Sequence, residues 1–459
     1  MNDYQLIVIG AGPGGYTAAL TGARLGLRTA VIEKSELGGT CLNRGCIPTK
    51  ALLHASETYQ AALNSEDMGI GASKVSMDLA KLYEFKSQTV EKLRNGVQML
   101  LKNAKVDIIR GKATIGPEGT VSVAGPDEGI YRAERILIAT GAEPSRPPIP
   151  GLDSEGVLTS DELLEKLESL PSSIVIIGGG VIGVEFATFF SDLGCEVTVI
   201  EALDRLLPNM DRELGQGLAV QLKKRGVKVF TSSTVSRVEK TADSLEVEFT
   251  QKGKDDRAEG EIVLCAIGRK PYTDGLLAAG MSLETDGRRI RVDEHFRTGI
   301  EGIYAIGDVS SRIQLAHVAT AQGIACVKAM AGCEDETDLN LVPSCVYSRP
   351  EIASVGMTEE EAKAAGIPVK SSKVTMFSNA RTIIAGGDRG YMKLLANEQT
   401  GSLIGAQLMC ERASDMIGEL SQAIANKQKP HDLLKAMRPH PTFEEALTEA
   451  LTNLATHGR

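Results

Sequence analysis

One structural unit is written twice in this chain. Residues 6–10, LIVIG, form a short apolar run, followed by AGPGGYTAALTGARLG with helical composition and by LRTAVIEK as a second strand. The turn glycines Gly10, Gly12 and Gly15 are spaced GxGxxG, and Glu33 closes the second strand 23 residues after Gly10. The pattern returns in SSIVIIGGGVIGVEFATFFSDLGCEVTVIEA, with Gly178, Gly180 and Gly183, and with Glu201 again 23 residues after the first glycine. In such a unit the first glycine makes the tight turn and the second lets backbone approach a pyrophosphate. The third lets helix and strand pack closely, and the amides at the helix start hold the phosphate charge. One GxGxxG is a weak signal, because glycines serve many turns. Two in full strand–turn–helix–strand context, each with an acid at the same offset, predict two dinucleotide sites and an α/β fold.

The acids bear on which dinucleotide each unit takes. A carboxylate at the end of the second strand accepts hydrogen bonds from an adenine ribose and repels a 2′-phosphate, which needs clustered arginine. EALDR after the second motif offers only Arg205, so NAD is expected there rather than NADP. Both units continue alike, the first into β-rich VDIIRGKATIGPEGTVSVAGPDEGIYRAERILIATGAEP and the second into VKVFTSSTVSRVEKTADSLEVEFTQKGKDDRAEGEIVLCAIGRKP. Each ends as an apolar strand running into a glycine turn near proline, which suggests two homologous domains, one inserted in the other. PSRPPIPGL reads as a proline-rich linker between them. Residues 78–104 read as a long amphipathic helix packed over the first sheet.

The 459 residues allow roughly three domains. With 50 basic against 60 acidic residues the net charge is −10, so no nucleic acid is expected as a partner. No apolar run reaches the roughly 18 residues that a span needs, so no membrane is expected either. The strand-like YQLIVIG begins at residue 4 and leaves no room for a signal peptide, so a cytoplasmic location is expected. Cys195, Cys265, Cys326, Cys333, Cys345 and Cys410 stand mostly among small apolar neighbours and are expected to be core residues.

Cys41 and Cys46, in GGTCLNRGCIPTK, are different. Residues five apart on a regular helix point about 140° away from one another, so the thiols meet only on a distorted first turn. Spacing leaves an inert structural pair and a redox pair both open. Metal is the weakest reading, because no second short Cys or His repeat supplies further ligands and no metal site is expected.

GGTCLNRGCIPTK after one GxGxxG unit, a second such unit, GIYAIGDV at 302–309 and HPTFEE at 440–445 occur in the order of the flavin-dependent pyridine nucleotide disulfide oxidoreductases. The chain resembles that family over essentially its whole length. The resemblance implies two Rossmann-like domains, for FAD and NAD, and a C-terminal α+β dimerisation domain. Residues 1–148 and 271–340 would bind FAD, residues 149–270 NAD, and residues 341–459 would form the dimerisation domain of a homodimer.

What the family does with these residues is carried over as expectation. Gly10, Gly12, Gly15, Glu33 and Lys34 would hold the adenosine and pyrophosphate of FAD, beside Gly39, Thr40 and Cys41. Ala113 would lie near the adenine, Gly141 in the turn after the first unit, and Lys50 near the flavin ring with Glu185 as its partner. Asp308 would meet the ribityl chain, and Ala316 and His317 would begin a helix aimed at the ring. Gly178, Gly180, Gly183, Glu201, Gly268 and, more weakly, Val235 would serve NAD. Plainer readings stand beside these: Asp308 as a turn cap, His317 as a helix-start residue, and Lys50 with Glu185 as an ordinary ion pair.

The resemblance makes Cys41 and Cys46 a redox disulfide. It also makes His440, oriented by Glu445, the catalytic base, acting in the site of the other subunit. The implied reaction is oxidation of a dihydrolipoyl group on a carrier protein of a 2-oxoacid dehydrogenase complex or the glycine cleavage system, with electrons passing through the disulfide and FAD to NAD⁺. Glu201 and IPTK depart from the arginine and VPKK-like pattern of glutathione-reducing relatives, and EALTNLATHGR lacks the terminal cysteines of mercury-reducing ones. Cys41, Cys46, His440 and Glu445 together argue against a flavin-binding subunit without turnover. Arg44 and Arg438 depart from the small apolar residue and the histidine that many dithiol-oxidising relatives carry, and both are expected near the substrate mouth.

Overall fold

The computed structural model describes residues 3–387 and 390–456. In the first unit the strand Tyr4–Ile9 leads through α1 (Pro13–Arg24) to the strand Thr29–Glu33. Leu6, Ile7 and Val8 are wholly buried, as a parallel strand covered on both faces requires. Tyr4–Ile9 pairs in parallel with Thr29–Glu33 on one side and with Gly129–Ile138 on the other. Asp107–Arg110 extends the sheet beyond Thr29–Glu33, and Ile303–Ala305 returns from far along the chain to pair in parallel with Gly129–Ile138. The other half of that long strand pairs antiparallel with Thr120–Ala124, which in turn pairs with Lys112–Ile115.

Register gathers distant residues at one edge. Ile9 lies opposite Ile138, and Ile138 opposite Ala305. The turns at Gly10, at Gly141 and at Asp308 therefore leave the sheet side by side, at the carboxyl edge where open α/β sheets bind ligands.

After Thr29–Glu33 come α2 (Gly39–Arg44), α3 (Cys46–Leu63) and α4 (Leu79–Asn103). Asp78 caps α4 by accepting the Lys81 amide at 3.1 Å. Val90, Val97 and Leu101 of α4 pack over the first sheet with Leu6 and Val8, as the amphipathic pattern predicts. The start of the helix does something else. Leu82 joins Leu163 and Leu164 of the second unit, and buried Lys86 donates at 2.6 Å to the Leu164 carbonyl, closing the last turn of α5 (Ser160–Glu165).

The second unit repeats the first with the strand Ser173–Ile177, α6 (Val181–Asp192) and the strand Glu196–Ile200, followed by α7 (Arg212–Lys224). Its parallel sheet runs in the order 228–230, 196–200, 173–177, 262–265, 157–159. Ile177 faces both Ile200 and Cys265, so Gly178, Glu201 and the turn at Ala266–Gly268 share its carboxyl edge. The chain enters this unit along Ala142–Pro144 and leaves along Arg269–Pro271, and the two strands pair antiparallel. The proline-rich stretch is firmly held: Arg146 donates to the carbonyls of Leu152 and Val157, and Leu152 is buried in the second unit's core.

Beyond Ile303–Ala305, α8 (Ala316–Met330) packs on α1 at backbone distance, since a Cβ on Gly323 would come within 2.6 Å of the Gly14 carbonyl oxygen. The C-terminal part is a five-stranded sheet with antiparallel pairings in the order 344–346, 352–356, 403–409, 391–397, 369–375. Helices Ala413–Ala425 and Glu445–Thr456 cover it through Leu420, Leu447 and Leu451, which bury with Leu394 and Leu408. Cys265, Cys326 and Cys410 are buried and Cys195 and Cys345 half-buried, but Cys333 is exposed in the turn after α8, where no layer covers it. Among the described residues no helix is long and apolar enough to cross a membrane.

Candidate active site

Cys41 and Cys46 form a disulfide, their Cα atoms 4.7 Å apart. A continuous helix would keep them on different faces, and the break at Gly45 removes that obstacle. Cys41 lies in α2, Cys46 is the first residue of α3, and a Cβ on the intervening Gly45 would come within 3.0 Å of the Thr40 carbonyl oxygen. Cys46 thus heads an 18-residue helix whose first amides lack intrahelical acceptors, a position that favours a thiolate.

One turn beyond Cys46, on the same face of α3, stands Lys50. Its ammonium donates to both carboxylate oxygens of Glu185, at 2.9 and 2.7 Å, and the Glu185 side chain is only 3% exposed. The backbone N–H of Tyr347 adds a third bond to Glu185, at 3.1 Å, and the Tyr347 ring centroid is 4.8 Å from Lys50 Nζ. Glu185 comes from α6 and Tyr347 follows the strand Ser344–Val346, so all three parts of the chain meet at this ion pair.

The two glycine turns match in detail. Gly10 (φ +99°) and Gly178 (φ +111°) occupy left-handed backbone, and an added Cβ would come within 2.4 Å of the Ala139 oxygen and 2.5 Å of the Ala266 oxygen. A Cβ on Gly15 would lie 1.8 Å from the Gly10 oxygen, and one on Gly183 1.9 Å from the Gly178 oxygen. The middle glycines face open space: the nearest atom to a Cβ on Gly12 is Gly39 Cα at 3.9 Å, and Gly180 has nothing within 4 Å. Glu33 accepts the amides of Ala11 (2.7 Å) and Ser35 (2.8 Å); Glu201 accepts those of Gly179 (2.6 Å) and Leu203 (2.7 Å). Each carboxylate is fixed in place with lone pairs to spare.

Beside Glu33 opens a cleft lined by Gly10, Lys34, Ala113, Thr140 and Tyr272 among others. Lys34 Nζ lies 3.4 Å from the Tyr272 ring centroid. The Tyr272 amide donates to the Gly141 carbonyl at 2.9 Å. Gly39 (φ +58°) folds against Gly12, bringing Thr40 and Cys41 to the first glycine turn. Burial pushes the Asp308 carboxyl up, while Arg269 draws it down. Arg269 reaches Asp161 at 3.1 Å, the Ala142 carbonyl at 2.8 Å and Thr40 Oγ1 at 3.5 Å, yet its buried Nε has no partner among the described residues. That orphan donor, the open face at Gly12 and the fixed Glu33 carboxylate fit a dinucleotide bound along the first unit.

Other expected residues stand apart. Val235 is packed in the second unit's core with Phe249, so its side chain is turned into the protein. Ala316 begins α8, but His317 is exposed and its Nε2 lies 2.8 Å from the Pro343 carbonyl oxygen. Gly268 (φ +108°) has open space around it and accepts the Ser145 amide at 2.9 Å.

His440 lies in the C-terminal part, before the helix that Glu445 begins. Its Nδ1 is 2.8 Å from Glu445 Oε1, and Glu445 Oε2 accepts the Thr442 amide at 2.9 Å. These two bonds, the amide's first, hold the Glu445 carboxyl below the usual carboxylate range. With the proton on Nδ1, Nε2 is left as a free base on a side chain that is 73% exposed. Arg438 does not present its charge at this surface: its side chain is buried, with the guanidinium on Glu419 and Thr448. Arg44 pairs with Glu36 at the rim of α2.

Sequence reasoning missed Arg269, Tyr272 and Tyr347. The first two follow the second glycine-containing turn in AIGRKPY, and that position, where the chain re-enters the first unit, was the available signal.

The sequence matches the pyridine nucleotide-disulphide oxidoreductase family over residues 4–323 and that family's dimerisation domain over residues 342–451. It is 39% identical to a dihydrolipoyl dehydrogenase of Bacillus subtilis, covering 100% of this chain and 98% of the relative. It is 38% identical to that of Geobacillus stearothermophilus, covering 98% and 95%. Among solved structures, LpdA from Mycobacterium tuberculosis aligns with a TM-score of 0.90 at 27% identity, covering 98% of this chain and all of the other. The HOCl-induced flavoprotein disulfide reductase RclA from Escherichia coli aligns at 0.86 and 29%, covering 98% and 99%.

Proposed function

Because the chain belongs to the pyridine nucleotide-disulphide oxidoreductase family, we propose that it is a dihydrolipoyl dehydrogenase. It oxidises the dithiol of a dihydrolipoyl group to the cyclic disulfide and reduces NAD⁺ to NADH. The observation that carries this reading is the Cys41–Cys46 disulfide at the start of α3, in a chain that also holds His440 against Glu445.

The dithiol must first lose a proton, because the thiolate is the nucleophile. His440 Nε2 takes that proton, while Glu445 holds the ring through Nδ1 and offsets the positive charge that forms. The substrate thiolate attacks Cys41 Sγ. A substrate–Cys41 bond forms and the Cys41–Cys46 bond breaks, with Cys46 leaving as a thiolate that the helix N-terminus favours. The second substrate thiol attacks the substrate sulfur bonded to Cys41, giving its proton to His440 as the imidazolium passes the first proton to the departing Cys41 sulfur, which leaves the cyclic disulfide, a Cys41 thiol and a Cys46 thiolate. FAD supplies a two-electron acceptor for that pair and NAD⁺ the final hydride acceptor.

Gly10, Gly12, Gly15, Glu33, Lys34 and Ala113 are the residues for the adenosine and pyrophosphate of FAD, with Asp308 towards the ribityl chain and Lys50, partnered by Glu185, near the ring. Gly178, Gly180, Gly183 and Glu201 are those for NAD. The preference over NADP is supported by Arg205, whose guanidinium is already engaged by Asp204 (3.1 Å) and the Pro208 carbonyl (3.2 Å).

The working form is a homodimer in which His440 of one copy serves the cysteine pair of the other. Supporting this, Phe377, Ile383 and Ile384 are exposed around the segment whose Asn379 side-chain Nδ2 donates to the Thr442 carbonyl at 2.9 Å, beside the His440 loop. The physiological substrate is a cytoplasmic lipoylated carrier protein of a 2-oxoacid dehydrogenase complex or of the glycine cleavage system.

The test is NAD⁺ reduction by dihydrolipoamide with FAD-loaded protein, alongside NADPH with glutathione disulfide. Turnover in the first assay that Cys46→Ser abolishes supports the reading. Turnover only in the second would move the substrate to another disulfide.

A further inference from the structure

We infer that Tyr347 is a positioning residue for the redox pair, acting through Lys50: its ring fixes the ammonium one turn from Cys46 and so sustains the Cys46 thiolate. The inference rests on the reading of Cys41 and Cys46 as the reaction's redox pair.

Lys50 has a flexible stem and an ammonium with three donors. Glu185 engages it through two oxygens, which sets a distance but leaves the stem free to swing about that contact. The Tyr347 ring, 4.8 Å from Nζ, closes another side of the ammonium. A cation this close to an aromatic face is attracted to it, more strongly as water is excluded, and here the lysine side chain is 30% exposed. The position matters because Lys50 shares a helix face with Cys46. A nearby cation lowers a thiol pKa and stabilises the thiolate released when the disulfide opens.

Tyr347 contributes twice, and the two contributions separate cleanly. Its backbone amide bonds Glu185 whatever side chain the residue carries. A side-chain substitution therefore leaves the Lys50–Glu185–amide arrangement intact; Tyr347→Leu removes the ring together with the hydroxyl that bonds Ser414, and Tyr347→Phe removes that hydroxyl alone. Tyr347 is itself 36% exposed, so loss of its side chain opens no sealed cavity. Val346, the neighbour that anchors the strand, is buried in the core shared with the second unit.

The experiment uses the FAD-loaded protein in three forms, wild type, Tyr347→Phe and Tyr347→Leu, with Cys46→Ser as reference and thermal unfolding to verify the fold. Two quantities are read: steady-state NAD⁺ reduction by dihydrolipoamide, and titration of the ultraviolet thiolate absorbance of the reduced protein. We expect Tyr347→Leu to lower kcat about threefold to tenfold with KM changed less than about twofold, and to move the Cys46 thiolate titration to higher pH. Tyr347→Phe, which keeps the ring, stays at wild type in both. The inference is overturned if Tyr347→Leu matches wild type in the thiolate titration, or if Tyr347→Phe loses as much as Tyr347→Leu. If Cys46→Ser retains full turnover, the redox reading falls and the inference with it. If Cys46→Ser abolishes turnover and Tyr347→Leu changes nothing, only the role of Tyr347 is lost.

Discussion

His440 Nδ1 and Glu445 Oε1 lie 2.8 Å apart, and the second Glu445 oxygen is held by the Thr442 amide at 2.9 Å, so the imidazole is oriented by a carboxylate that is itself fixed. Glu445→Gln keeps the size but loses the charge, and we expect kcat to fall on the order of 100-fold with KM nearly unchanged. The Glu445 carboxyl is held below the usual range. Its contribution is therefore complete above the unfolded value of about 4.3 and is lost as pH falls through the lower folded value. Steady-state kinetics of the two proteins at pH 7 check the expected loss.

Gly180 and Gly183 sit in one turn yet should fail differently. A Cβ at 180 meets nothing in the protein, whereas one at 183 would lie 1.9 Å from the Gly178 oxygen. Gly180→Ala is expected to leave the melting temperature unchanged and raise KM for NAD⁺ about tenfold or more, because the methyl intrudes where the pyrophosphate approaches. Gly183→Ala should lower the melting temperature as well, since backbone must move. Thermal unfolding with NAD⁺ kinetics separates the two.

Lys393 ties the C-terminal sheet to the second unit. Its ammonium, 3% exposed, donates to Asp211 at 2.8 Å and Glu213 at 3.2 Å, and Asp211 also caps α7 by accepting the Glu213 amide at 2.9 Å. Lys393→Met leaves the Asp211 charge buried without its cation, which should cost about 3 kcal/mol in denaturant unfolding. Adding Asp211→Asn, which removes that charge and retains a capping oxygen, should recover most of the loss.

Glu411 offers a pH signature of opposite sign. Burial raises its carboxyl pKa, Glu57 and Glu351 push the same way, and Arg349 and Arg225 oppose. A carboxyl raised on folding contributes stability below its unfolded value of about 4.3, and loses it as pH rises through the folded value. Glu411→Gln should therefore raise the melting temperature by about 2 °C at pH 7, and the gain should vanish below about pH 4. A melting series over that range tests it.

Local pattern reached the glycine turns, the flanking strands and the long helix because their signals lie within a dozen residues. It stopped where register takes over. Asp308 stands at the first glycine turn because Ile303–Ala305 pairs with Gly129–Ile138, a relationship between segments more than 160 residues apart. Tyr347 reaches Lys50 in the same long-range way. Exposure was harder to read locally: Arg438 looks like a surface charge but its side chain is buried on Glu419, whereas Cys333, expected in the core, is followed by Glu334, Asp335 and Glu336 and lies exposed past the end of a helix. The residue types in the Cys motif left inert and redox pairs both open, and the break at Gly45 is what lets the sulfurs meet.

Pro144 lies opposite Arg269 and Ala142 opposite Pro271, so the chain leaves its first sheet and comes back to it at a single doorway. Everything between is a detour whose two ends are already stitched together. The strand pairing alone sets no length for the detour, so a nucleotide-binding cassette of another specificity fits that doorway without re-threading a strand of the first sheet, provided that it keeps the contacts Glu185 and Leu164 make with Lys50 and Lys86.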